Sequence, residues 1–143
     1  MKEGARILML EDDIDDRFLT QETLDEFGLT LPVEFLTSSE ELYRELEKPQ
    51  KPLMILVDYQ AGPDNAPKIL KILKSKPELK SIPVIVLGEN SIDSLVDECY
   101  ALGANAFIIK PASLEETKKK IGIFFKYWME VVELVTKQNA GVQ

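Results

Sequence analysis

Glu11, Asp12, Asp58 and Lys110 each stand at the end of an apolar run, a place where a buried core has no use for charge. Glu11 and Asp12 follow Ile7 to Leu10, Asp58 follows Leu53 to Val57, and Lys110 follows Phe107 to Ile109. Three carboxylates brought close together repel one another, so they must take up protons or gather a cation. Mg²⁺ suits such a site, because it prefers hard oxygen ligands and commonly combines one or two carboxylates with phosphate and water. Three carboxylates and one ammonium sum to about -2, which a single divalent cation cancels before a phosphoryl group arrives. A carboxylate oxygen can itself attack phosphorus to form an aspartyl phosphate. Asp58, alone at the end of the central apolar run, is the candidate nucleophile, with Lys110 as a compact counter-cation.

These residues need a scaffold that gathers strand ends. Strand-like runs over Ala5–Leu10, Leu31–Thr37, Leu53–Val57, Val84–Leu87 and Ala106–Ile109 alternate with segments of helical period. The first, third and fourth are nearly continuous apolar runs, the pattern of a parallel sheet covered by helices on both faces. The fold class is therefore α/β, a doubly wound five-stranded parallel sheet. In such a sheet ligands bind beyond the carboxyl ends of the strands, near the point where the strand order reverses, which is where the four charged residues fall. The fourth run ends on Gly88, which brings no side chain.

Helix boundaries are marked as clearly. Ile14, Phe18, Leu24 and Phe27 are expected to share the buried face of a first helix that Gly28 stops. Ser38 with Glu41 reads as a capping box, and Pro49 and Pro52 end the helix that follows. Gly62, Pro63, Asp64, Asn65 and Pro67 predict a turn and a late helix start before Ile69 and Leu70. A fourth helix runs from Ser91 to Gly103 with Ile92, Leu95, Val96, Cys99 and Leu102 as its buried stripe. Asp13, Asp15 and Asp16 read as favourable charges at a helix N-terminus. Residues Asn139–Gln143 are expected to fray.

With 143 residues the chain fits one domain, 1–143, and a composition 45% hydrophobic and 29% charged is that of a soluble globular protein. The formal net charge of -8 opposes binding to nucleic-acid phosphates. No apolar run is long enough for a bilayer and no signal peptide opens the chain, so a cytoplasmic protein without membrane contact is expected. A lone cysteine, Cys99, agrees with a reducing compartment. The chain has no histidine, which removes the imidazole from catalysis, metal ligation and phosphoryl relay within this chain.

The stretches Ile7-Leu8-Met9-Leu10-Glu11-Asp12-Asp13, Leu56-Val57-Asp58, Ile82 to Leu87 and Gly103 to Pro111 resemble the receiver domain of two-component response regulators, in the same order and over almost the whole chain. The resemblance implies a flavodoxin-like (βα)5 fold. It also implies phosphorylation of Asp58 by a sensor histidine kinase or a histidine phosphotransfer protein. Mg²⁺ would be held by Glu11, Asp12, Asp58 and the backbone carbonyl of Gln60, and Lys110 would contact the phosphoryl group. Two departures stand out. Gly88 occupies the place where the family usually has a Ser or Thr that reports phosphorylation to an aromatic side chain, here Phe107. After Asp58, Gly62 and Ala66 stand where proline and glycine are usual, and Pro63 is shifted by one. The alternative to a phosphoacceptor is thus a degenerate receiver that binds proteins without being phosphorylated.

Ser113 and Glu116 open a last helix expected over about 113–137. Ile121, Phe124, Phe125, Trp128, Val132 and Val135 form one apolar stripe; Ile123, Tyr127, Val131 and Leu134 form a second, which predicts a homodimer or a docked partner. Residues 125–132 are similar to the tail of stand-alone receivers that work with phytochrome-type sensor kinases. An acidic loop after the first strand argues against a flavin phosphate there. An aspartyl phosphohydrolase is disfavoured because neither Glu11-Asp12-Asp13 nor Asp58-Tyr59-Gln60 supplies the Asp-x-Asp pattern.

Overall fold

The computed structural model describes residues 5–89 and 93–135. Each apolar run forms a parallel strand: β1 (Ile7–Leu10), β2 (Val33–Leu36), β3 (Met54–Asp58), β4 (Val84–Gly88) and β5 (Ala106–Ile109). Between and after them lie α1 (Ile14–Glu26), α2 (Ser39–Leu46), α3 (Ala66–Lys74), α4 (Asp93–Ala101) and α5 (Leu114–Glu130). The sheet order is β2-β1-β3-β4-β5, so the chain reverses its direction of travel between β1 and β3. That is the switch point at which a parallel sheet leaves a crevice. Asp58 and Gly88 are the last residues of their strands rather than the first beyond them, with Asp58 opposite Leu87 and Gly88 opposite Ile109.

Alternation along β1 divides the core. Leu8 and Leu10 face α2, α3 and α4 with Leu42, Ile69, Leu70 and Leu73, while Ile7 and Met9 face α1 and α5 with Leu24 and Phe125. Cys99 is fully buried in the first layer. All four capping residues act: Asp13, Ser38, Asn65 and Ser113 each accept a backbone N–H of the helix they precede. Glu41 completes the expected box, its carboxylate accepting from the backbone of Ser38 and also from the N–H and hydroxyl of Thr37. Asn65 starts α3 late, as the turn residues predict, with Pro67 in its first turn. The preceding loop, whose Gly62–Pro63 bond is cis, is tied to α2 by Ser39, which donates its N–H to Gly62 and accepts that of Asp64.

Three expectations about helices need correction. Ile14 and Phe18 are 66% and 74% exposed and do not share a face with Leu24. At roughly 100° per residue, Phe27 lies far around the helix from Ile14 and Phe18, and Leu24 is about 120° from Phe18. The buried face is instead Thr20, Thr23 and Leu24, and the two threonine hydroxyls donate to the carbonyls of Asp16 and Leu19, so they enter the core already satisfied. In α4, Cys99 alone is fully buried, Leu95, Val96 and Leu102 are half-covered, and Ser91 and Ile92 lie outside the described residues.

The third correction concerns α5, which ends at Glu130 rather than near residue 137. Val131 and Val132 both donate to the carbonyl of Tyr127, and the chain turns so that Leu134 returns to the core layer of Trp128 and Met129. Two adjacent β-branched residues weaken helix propagation there, and burial of Leu134 rewards the turn. Residues 136–143, including the expected frayed segment, lie outside the described residues.

Candidate functional site

Backbone bonds that extend the sheet place each charged group. The N–H of Glu11 donates to Leu36, that of Tyr59 to Leu87, and that of Lys110 to Gly88, so the residues that leave β1, β3 and β5 are held in sheet register. Their side chains converge. Ligand oxygens of Glu11, Asp12 and Asp58 lie within 4.8 Å of one another. The Lys110 ammonium reaches Glu11 Oε1 at 3.3 Å and Asp58 Oδ1 at 3.5 Å. Glu11 is 1% exposed, and its other oxygen accepts the N–H of Asp13 at 3.2 Å. Met9, Leu87, Ile108 and Ile121 close the space beneath with apolar surface.

Asp16 is a charge in the first turn of α1, as the sequence predicts, and it has a second partner as well. Its Oδ2 lies 3.1 Å from Lys110 Nζ, the shortest of the three ion pairs of that lysine. Asp13 is the cap, and Asp15 is exposed. Asp16 stands three residues after its cap, one turn along α1, and faces β5; only knowledge of how α1 lies on the sheet could have marked it out. Gln60 sits exposed in the turn after β3.

Burial sets the electrostatics. It raises the Glu11 carboxyl from 4.5 to about 7, because the loss of water outweighs the attraction of Lys110 and the charge of Asp58 adds to the rise. Burial likewise raises Asp58, with Lys110 opposing. Loss of water alone would depress Lys110, but Glu11, Asp58 and Asp16 together hold its ammonium above the ordinary range. Asp16, 35% exposed and the nearest carboxylate, acts on Lys110 both through its hydrogen bond and through its charge. A divalent cation fits this donor set, because it supplies the charge that three clustered hard oxygens lack.

The sign of the Glu11 shift gives a prediction for the metal-free protein. A carboxyl raised in the folded state contributes stability fully below about 4.5 and loses it as pH climbs through about 7. In chelator, denaturant titrations should show wild type losing stability relative to Glu11→Gln over that interval, by up to about 3 kcal/mol. A gain with rising pH would mean that the ion pair with Lys110 dominates instead.

Beside the acidic cluster the glycine that ends β4 has an unexpected neighbour. A β-carbon placed on Gly88 would lie 2.9 Å from Cζ and 3.0 Å from Cε1 of Phe107. The Phe107 ring therefore lies over Gly88, packed against the core layer of α3 and α4 and tilted against Tyr59 at 6.5 Å between ring centres.

The sequence profile of the response regulator receiver domain matches residues 7–122. The chain belongs to that family. This response regulator receiver is 29% identical over 134 residues to response regulator Rcp1 of Synechocystis, a match covering 90% of this chain and 91% of the relative. It is 26% identical over 128 residues to FilR2, a regulatory protein of Methanothrix harundinacea, covering 86% and 83%. The crystal structure of a phosphorylated cyanobacterial phytochrome response regulator, RcpA, superposes with a TM-score of 0.84 at 26% identity, covering 91% of this chain and 97% of that one. The Mn²⁺-bound form of Rcp1 gives 0.84 at 26%, covering 92% and 99%. These relatives bear out the flavodoxin-like receiver fold. No described helix is long and apolar enough to cross a membrane.

Proposed function

We propose that the protein accepts a phosphoryl group on Asp58 from a histidine-phosphorylated sensor kinase or phosphotransfer protein, with Mg²⁺ bound. The observation that carries this reading is the Asp58 carboxylate at the end of the central strand, within 4.8 Å of Glu11 and Asp12 and 3.5 Å from Lys110. An Asp58 oxygen attacks phosphorus, the bond from phosphorus to the donor nitrogen breaks, and the leaving imidazole keeps the electron pair and takes a proton. Glu11, Asp12, Asp58 and the Gln60 carbonyl would hold the cation, which neutralises charge on the incoming phosphoryl oxygens. Lys110 then moves onto one of those oxygens. That Rcp1 has a Mn²⁺-bound form supports the binding of a divalent cation.

A protein donor agrees with the surroundings of the site. Leu114 is exposed beside the cleft lined by Asp16 and Lys110, and Ile14 and Phe18 are exposed on the first turns of α1. Incubation with Mg²⁺ and a small phosphodonor, followed by intact mass measurement, tests the reading; one added phosphoryl mass is expected. A second reading, a receiver that works by binding alone, draws on Phe107, whose ring already lies over a glycine that has no hydroxyl to report phosphorylation. No added mass with any donor would select it.

The α5 helix supports self-association. Ile123, Tyr127 and Val131 are 56%, 54% and 64% exposed along one stripe, with Lys119 near its start and Glu130 and Glu133 near its end. Two copies packed antiparallel, centred between Ile123 and Tyr127, bring Ile123 onto the partner's Tyr127 and the basic half onto the acidic half. Light scattering should show mass rising toward a dimer with concentration, and a Tyr127→Glu, Val131→Glu variant should stay monomeric. A concentration-independent monomer for the native chain would refute the dimer.

A further inference from the structure

Lys110 has more partners than phosphoryl transfer needs. In the resting protein its ammonium hydrogen-bonds Glu11 at 3.3 Å and Asp16 at 3.1 Å, whereas Asp58 is met at the longer 3.5 Å. Glu11 approaches from the end of β1, and Asp16 from α1 on the open side. The backbone of Lys110 is fixed by its bond to Gly88, so the side chain alone chooses among the three carboxylates.

From this arrangement we infer that Asp16 is a positioning residue for phosphoryl acceptance, which holds Lys110 off Asp58 until the phosphoryl group arrives. This rests on Asp58 being the acceptor. Three carboxylates compete for one ammonium. While Asp16 shares it, Asp58 keeps only the longest of the three ion pairs, through Oδ1, and its carboxylate is left accessible to the cation and to phosphorus. Without the Asp16 charge the ammonium settles between Glu11 and Asp58, where it opposes a divalent cation and covers the nucleophilic oxygen. After transfer the phosphoryl oxygens carry more charge than Asp16 and lie in a drier place, so the lysine crosses to them and releases Asp16. The half-exposed carboxylate suits that task, since an exposed partner is given up at small cost.

Asp15 supplies the control, because it carries the same charge one residue away, is exposed, and is not among the Lys110 ion pairs. Mg²⁺ binding by calorimetry and the rate of phosphorylation by a small phosphodonor would be measured for wild type, Asp16→Asn and Asp15→Asn. Each variant would also be made in a Lys110→Ala background. Asp16→Asn should raise the Mg²⁺ concentration for half-maximal rate, and weaken Mg²⁺ binding, by about tenfold, within the range over which contacting groups couple. The rate at saturating Mg²⁺ should stay within about twofold of wild type, a split that a general structural defect would not produce. Asp15→Asn should change little, and Asp16→Asn should add little once Lys110 is alanine. Equal effects of the two Asn variants, or an undiminished Asp16→Asn effect without Lys110, would overturn the inference. If wild type takes no phosphoryl group, the acceptor reading fails by itself, and the Mg²⁺ cycle still decides whether Asp16 acts through Lys110.

Discussion

Asp58→Asn should leave a folded protein that gains no phosphoryl mass from any donor, at any Mg²⁺ concentration, where wild type gains one. The loss is expected to be complete because a carboxamide is a poor nucleophile and a poorer cation ligand, and one substitution removes both roles. Folding should not suffer. Asp58 is buried enough to lift its pKa, and Asp12 and Asp16 add repulsion, so the neutral amide relieves a cost that Lys110 offsets in part. We expect unchanged stability or a gain of about 1 kcal/mol in metal-free solution. Denaturant titration and intact mass measured on the same samples separate the two effects. Phosphoryl mass retained by Asp58→Asn would place the acceptor elsewhere, with Asp12 and Asp16 the first to test.

The second large effect concerns the scaffold. Gly122 lies inside α5, where alanine would ordinarily favour the helix by about 1 kcal/mol. Here a β-carbon would overlap Cζ, Cε1 and Cε2 at the edge of the ring of Phe27, the residue that caps the C-terminus of α1. Either the ring or the helix must move, and α1 and α5 pack against each other on one face of the sheet. Gly122→Ala should therefore destabilise by about 2 kcal/mol, with Gly122→Val worse, because overpacking at a seam between two helices outweighs the gain in propensity. Phe27→Ala alone should also destabilise, by opening a cavity. The double variant should be more stable than the sum of the two, since the missing ring makes room for the methyl group. Strict additivity in chemical denaturation would show that the two sites do not share this contact.

How far such features were legible depends on how far apart in the chain their causes lie. The strands were legible because an apolar run and its charged end are local, and the boundaries moved by only a few residues. The turn after β3 and the caps at Ser38 and Ser113 were legible for the same reason: a hydroxyl within three residues satisfies the N–H it precedes. The face of α1 was misread because threonines occupy it, and apolarity is the wrong marker when hydroxyls bond their own helix. The length of α5 was overread because an apolar pattern continues past Glu130 although the helix does not.

By itself, the sequence determined the alternation of strands and helices, the charged strand ends Glu11, Asp12, Asp58 and Lys110, and the missing side chain at Gly88. Each follows from burial and chain chemistry over a few neighbouring residues. Only the tertiary structure decided that Asp16 joins Lys110 across 94 positions of chain, that Phe107 covers Gly88, and that Phe27 leaves Gly122 no room for a β-carbon. Those three depend on how helices lie on the sheet to within an ångström or so, a distance set by packing of whole faces and not by the spacing of residues along the chain.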